Sequence, residues 1–402
     1  MQRGLQLSQR RALQPSRRGA LQPSREPLGF PSEGFSWPRL IALAHRHEVM
    51  PLLNAALRDS VSVPAPARRR LESHCRTAIA HNLSLASELV ELLELFERSG
   101  VSAVPFKGPA WTQVLYGDLA HRQIRDLDIF VDPSEAARAC NLLAARGYVR
   151  TERSQAKPIA QCKDLEFAHP RTGLHLELHW SACEPWDDQR ASRLKLWNPA
   201  STTILLNRPM PLPSAENIFL LLAIHGARHR WESLKWICDI AVLLQAFPKL
   251  DWDAVLAPAG RIDRKRMALV PLALVNQLFD ITLPASVRKA IEEDAAVFRL
   301  ARRIQQRHRA DGDGYLHPRR KAVAELIYWE GMRIRMRESR LERFCLLAAF
   351  LFRQIKPNAN DRDSLPHRRL PQPLYWLIRP FRLLRIYGPA AILKFARELI
   401  GA

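Results

Sequence analysis

Residues 174–180, Leu-His-Leu-Glu-Leu-His-Trp, alternate apolar and polar side chains at every step. Side chains alternate between faces along a strand, whereas a helix would scatter these leucines around its axis. The segment therefore reads as a strand with one buried face, and it demands partner strands and a core beneath it. Leu127–Val131 is a second strong strand, stopped by Asp132-Pro133. Val101–Phe106, Tyr148–Arg153 and Leu165–His169 are further β-like runs, and Arg171-Thr172-Gly173 is a hairpin turn. Helical patterns follow Pro109 as far as Tyr116 and span Ser134–Arg146, ended by Gly147. The expected class is α+β, a small mixed sheet with helices outside it.

The flanks read as helix. Ala67–Ser99 carries Leu71, Cys75, Ile79, Leu89, Leu93 and Phe96 in an apolar stripe, and Gly100 ends it. Pro38–Asp59 keeps helical apolar spacing through Met50, Leu52 and Leu53, and from Ser214 onward the chain reads as all-helical. The expected organisation is a basic tail over 1–35, helices over 36–100, the α+β core over 101–213, a helical domain over 214–356, and a linker with basic amphipathic helices over 357–402. The tail holds the repeat ALQPSR at Ala12–Arg17 and Ala20–Arg25, with too little apolar surface to fold, so disorder is expected.

Charge is uneven. The formal net charge is +21; residues 1–25 hold six Arg and no acid, and residues 301–402 hold 22 Lys/Arg against nine Asp/Glu. Such ends suit phosphates or an anionic membrane surface, although an Arg-, Ala-, Leu- and Pro-rich coding bias accounts for them equally simply. No RNA-binding signature accompanies them. The longest apolar run, Phe344–Phe352, has nine residues, too few to span a bilayer. The six cysteines are scattered without pairs, which points to reduced thiols and a cytoplasmic protein, with membrane contact only peripheral.

The chemistry gathers in the α+β block. In Arg125-Asp126-Leu127-Asp128-Ile129, strand parity puts Asp126 and Asp128 on one face, about 6–7 Å apart along the strand. Glu177 shares a face with His175 and His179. If the two strands are neighbours, three carboxylates meet, an arrangement suited to two Mg²⁺ ions that activate a hydroxyl and hold triphosphate oxygens. His175, Glu177 and His179 alone would instead suit zinc or iron. Phe106-Lys107-Gly108-Pro109 is a strand–turn–helix that can bring backbone and a helix N-terminus to a phosphate. His225, His229, Glu232, Trp236 and Asp239 would align on one unbroken helix, as a polar wall, a metal site or a seam between helices.

Taken together and in order, Lys107-Gly108, Leu115-Tyr116-Gly117-Asp118, Arg122, Asp126-Leu127-Asp128 and Glu177-Leu178-His179-Trp180 resemble a bacterial family of uncharacterised nucleotidyltransferases. That family is similar to a distant branch of the DNA polymerase beta superfamily. Ala44-His45-Arg46-His47, His225-x-x-x-His229-x-Trp231 and Asp239-Ile240 extend the resemblance over roughly 37–245. It implies a nucleotidyltransferase-like core that moves a nucleoside monophosphate from an NTP, ATP first among them, to an acceptor hydroxyl with release of pyrophosphate. It further implies that Asp126, Asp128 and Glu177 are catalytic residues holding Mg²⁺ or Mn²⁺. Lys107, Gly108, Arg122, His225 and His229 would serve the nucleotide. Two features depart from the superfamily pattern: the turn is Lys-Gly-Pro where Gly-Gly or Gly-Ser is usual, and Asp126 follows Gly108 at a distance of 18 positions, longer than the usual interval. The alternative is a non-catalytic protein that keeps the fold and binds a membrane surface or nucleic acid.

Overall fold

The computed structural model describes residues 35–155, 158–159, 162–181, 194–310, 318–356 and 385. The expected disordered tail up to residue 34, Cys183 and, apart from Arg385, the basic segment Leu374–Leu399 lie outside these residues.

Helix α1 covers Trp37–Arg46, with Ser36 as its cap, and α2 covers Met50–Ala56. The apolar spacing predicts one continuous helix here, but the chain breaks at Glu48, which takes φ 56°. Pro51 is the reason: inside a helix it would remove a hydrogen bond and clash with the preceding turn, whereas in the first turn of a new helix it does neither. Helix α3, Ala65–Arg98, follows the expected stripe, and its N-terminal part packs Ala67 and Leu71 against Ile41, Ala44, Met50 and Leu57.

The sheet begins with β1, Ala103–Pro105, followed by α4, Gly108–Tyr116. Then come β2, Leu127–Val131, α5, Ala136–Ala145, β3, Val149–Arg150, and a single turn, α6, Glu152–Gln155, where the pattern predicts that the strand continues to Arg153. Strands β4, Asp164–Ala168, and β5, His175–His179, form the hairpin, with Gly173 at φ 70° in its turn. The order is β1-β2-β5-β4-β3; β2 and β5 are parallel and every other pair is antiparallel. The mixed α+β fold is therefore as the sequence implies. Leu127, Ile129, Leu165, Phe167, Leu176 and Leu178 are all at most 2 % exposed, which accounts for the alternation on both strands.

A second hairpin, β6 Ser201–Leu205 and β7 Arg208–Leu212, has no counterpart in the sequence reading. Pro209 and Pro211 speak against a strand, but they lie two residues apart, so both nitrogens point away from β6 and no ladder hydrogen bond is lost.

Helix α7 covers Ala215–Arg228 and α8 covers Leu234–Ala246. The two helices expected here, one from Ser214 through His225 and one over Leu234–Phe247, are both present, and the single unbroken helix that would align His225, His229, Glu232, Trp236 and Asp239 is not: Arg230 and Trp231 both take φ 56°, and Ser233 caps α8. The Trp231 ring is the physical cause, because it folds back onto Gly226, where an added Cβ would lie 2.5 Å from ring atoms. Helices α9, Trp252–Arg261, and α10, Lys265–Phe279, follow.

Two compact units result. Among the described residues, one takes those up to Gly226 with Trp231–Ile262 and Val275–Thr282, and it holds the sheet. The other takes Ala227–Arg230, Asp263–Leu274 and the described residues from Leu283 on. Within it lie α11, Ala285–Glu292, α12, Ala295–Ala310, α13, Pro318–Arg335, and α14, Arg340–Ile355. Arg266 ties this unit together: its guanidinium donates to Asp294 at 2.7 and 3.2 Å and to the carbonyls of Arg335 and Arg337 at 2.8 and 2.7 Å. No helix among the described residues is long and apolar enough to cross a membrane.

Candidate active site

The polar face of the sheet carries the site. Asp128 lies opposite Glu177 in the parallel β2–β5 register, and Glu177 lies opposite Glu166 on β4. His179 is two residues beyond Glu177 on the same face. Its Nε2 lies 2.9 Å from Asp128 Oδ1 and 3.3 Å from Glu177 Oε2. Ligand atoms of Asp128, Glu177 and His179 all fall within 4.8 Å of one another. Asp126 stands just ahead of β2 and shares with Glu177 an open pocket of about 180 Å³ that Arg125, Glu166 and His175 also line.

Lys107 closes the cluster from the β1–α4 turn, its Nζ 3.0 Å from Asp128 Oδ2. Its backbone, at φ 62° and ψ −145°, lies in a region that essentially only glycine occupies without strain. This explains the departure noted in the turn: Lys107 stands where a glycine would be comfortable, and keeps a charged side chain on Asp128. Gly108 follows at φ 60° and opens α4.

The electrostatics separate the two aspartates. Burial raises Asp126, and the charges of Asp128 and Glu177 add to it, to about 6 against the pull of Lys107 and Lys235. Burial also opposes ionisation of Asp128, but Lys107 and His179 outweigh it and hold Asp128 at about 2. Burial disfavours the His179 imidazolium, yet hydrogen bonds to Asp128 and Glu177 prevail and lift it to about 9. The hydrogen bond from His179 lowers Glu177.

The remaining expected residues sit elsewhere. Arg122 is buried, with Nε and Nη2 on the two oxygens of Asp239 at 2.8 and 2.9 Å, and Tyr116 donates to the same carboxylate at 2.8 Å. His225 is one ring removed: it meets the edge of Phe106 at 6.0 Å, and Phe106 meets His179 at 5.5 Å. His229 lies past the end of α7. His175 is exposed and outside the Asp128–Glu177–His179 group, so the His-x-Glu-x-His triplet does not act as a unit.

Three residues near the site escape a sequence reading. Lys235 on α8 is buried, which lowers it, and its ammonium bonds Glu48, which also takes Arg125 Nε at 3.1 Å. Asp164 puts Oδ2 3.7 Å from His179 Nδ1. Nothing local marks them: Glu48 and Lys235 are 187 residues apart.

The model of a family described as uncharacterised nucleotidyltransferase matches residues 33–280, more than half of the chain. The chain belongs to that family. The matched stretch of this nucleotidyltransferase family member contains every residue of the cluster. A solved structure, an antigenic nucleotidyltransferase-like protein from Paracoccidioides brasiliensis, is similar at 17% identity with a TM-score of 0.36, over 51% of this chain and 92% of that one. That likeness is too weak to support an argument. No curated protein matches the chain.

Proposed function

We propose that the protein transfers a nucleoside monophosphate from an NTP, ATP first among them, to an acceptor hydroxyl. The observation that carries this reading is the register of Asp128 against Glu177 on adjacent parallel strands, beside a strained Lys-Gly turn that opens a helix. Oxygen and nitrogen donors within 4.8 Å of one another fit a divalent ion. Asp128 and Glu177 would hold it, with Asp126 at the edge of the same pocket, Mg²⁺ or Mn²⁺ being the expected ion. Such an ion supplies Lewis-acid polarisation of phosphate oxygens and orientation of the leaving group.

The chain's own groups do the rest. The Gly108 turn and the N-terminus of α4 present backbone N–H groups to phosphate. Lys107 moves from Asp128 to the phosphates and offsets charge that develops as the bond to the leaving group lengthens. The acceptor oxygen forms its bond to the α-phosphorus, the α–β bridging bond breaks, and pyrophosphate leaves with that electron pair. The hydroxyl proton passes to Glu177, which has a second carboxylate oxygen for it. Arg122 acts through position, fixing the Tyr116 end of α4 to α8 by way of Asp239.

Pyrophosphate release should be followed with each NTP and Mg²⁺ or Mn²⁺ over a broad panel of hydroxyl acceptors, with Asp128→Asn as control. The reading requires release that depends on acceptor and metal and is lost in the variant. Equal trace release from both proteins would sink it and favour a binding protein that keeps the fold.

A further inference from the structure

Asp126, Asp128 and Glu177 are all hard oxygen donors, which match Mg²⁺. The described structure puts a different third donor closest to Asp128 and Glu177. His179 is 2 % exposed, and its Nε2 is within 3.3 Å of both carboxylates, whereas Asp126 falls outside the 4.8 Å group. On the other side of the ring, Nδ1 faces Asp164 Oδ2 at 3.7 Å. A carboxylate beside one imidazole nitrogen favours keeping the proton there, so that the proton Nε2 shares with Asp128 and Glu177 is the one released to solvent when an ion enters, freeing the Nε2 lone pair for it. At 3.7 Å the approach of Nδ1 to Asp164 is an ion-pair contact, and a closing of about 1 Å would make it the hydrogen bond by which proteins orient a ligating histidine. The ring has little freedom to leave this pose, since Phe106 meets it edge-on at 5.5 Å and Phe130 lies 5.4 Å away on the same sheet face.

We propose that Asp128, Glu177 and His179 form a mixed carboxylate–imidazole site that prefers a transition-series divalent ion to Mg²⁺, with Asp164 positioning the imidazole. It rests on the metal-binding part of the proposed function and not on nucleotidyl transfer. Imidazole adds little for Mg²⁺, which keeps to oxygen ligands, but strengthens binding along the series from Mn²⁺ upward. Lys107 Nζ, 3.0 Å from Asp128, must withdraw for the ion to enter.

The test uses Co²⁺ on the full chain without nucleotide, so that it reads binding and not turnover. The expected result is one site per chain that a thousandfold excess of Mg²⁺ does not empty. Its proton NMR spectrum should show a hyperfine-shifted exchangeable resonance from the His179 Nδ1–H. His179→Gln should remove that resonance and weaken Co²⁺ by at least tenfold while leaving Mg²⁺ affinity within about twofold. Should that variant fail to fold, Asp164→Asn decides. It should weaken Co²⁺ by ~10–100-fold, the range found when an outer carboxylate is lost. Equal affinity for Co²⁺ and Mg²⁺, no shifted imidazole proton, or a resonance that survives in both variants would overturn the proposal. Tight cobalt binding without pyrophosphate release would sink the transfer reading alone. Release with no effect of His179 on metal preference would sink this one alone.

Discussion

Asp126 and Asp128 differ in sequence only by position, yet the charges around them give them opposite effects on stability. Asp126 is raised to about 6, so the folded protein holds a proton there that the unfolded chain releases near 4. Stability then falls as pH rises from about 4 through 6. Asp126→Asn should therefore stabilise the metal-free protein above pH 6, by up to about 2–3 kcal/mol at 1.36 kcal/mol per unit, and have no effect below pH 4. Asp128, lowered to about 2, contributes stability that is present above its unfolded value and lost as pH falls through 2. Asp128→Asn should cost about 2 kcal/mol or more at neutral pH, because Lys107 and His179 lose their partner. His179 adds stability that is full below about 6.5 and is lost as pH rises through about 9. Urea unfolding in chelator from pH 2 to 10 measures all three; the same sign for both Asp variants at neutral pH would contradict the assignment. Relief of repulsion alone would have stabilised both.

Lys107 gives a second residue-scale prediction. Lys107→Gly relieves a backbone conformation that costs about 1–3 kcal/mol but removes the ion pair with Asp128, so unfolding free energy should move by less than about 1 kcal/mol. Turnover should nevertheless fall by at least tenfold and the KM for NTP should rise, since phosphate contacts are partly made in the ground state. Unchanged kinetics in this variant would remove Lys107 from the phosphate site.

At the scale of elements, the join between α7 and α8 is held by one ring. Gly226→Ala would drive a methyl group into Trp231, which is fully buried, and overpacking of this kind costs about 1–3 kcal/mol or more. Denaturant midpoints of Gly226→Ala should fall accordingly, while Gly260→Ala, on α9 with nothing near its added Cβ, should not. The Arg122–Asp239 pair offers a sharper division of roles. Arg122→Ala leaves Asp239 buried and uncompensated, a loss of about 3–5 kcal/mol. If Arg122 served phosphate directly, the variant would keep its stability and show a raised KM for NTP. The geometry calls for the first outcome, and calorimetry with steady-state kinetics on one preparation separates the two.

On the scale of the whole molecule, the candidate site lies in one of two compact units while the excess charge lies at the chain ends. Deleting residues 1–32, which precede the family match, should leave metal affinity and turnover within twofold. Removal of residues 357–402 should abolish any salt-sensitive binding to anionic liposomes; sedimentation that persists after this truncation would move the membrane contact elsewhere. What the sequence alone settled is local and periodic. Alternation with leucines is enough to put Asp126 with Asp128 on one face of their strand and Glu177 with His179 on one face of theirs, because a strand repeats every two residues whatever surrounds it, and only the β2–β5 register made the two faces one. The stripe of α3 follows from its own period in the same way, and the ordered motifs are enough to place the family. Only the tertiary structure decided which donors approach closest, that Arg122 closes on Asp239 instead of standing free, and that Glu48, Asp164 and Lys235 border the site. It also broke at Glu48 the helical spacing that the sequence continues from Pro38 to Asp59. These outcomes depend on distances between residues far apart in the chain and on competition for buried charge, and neither leaves a period in the sequence.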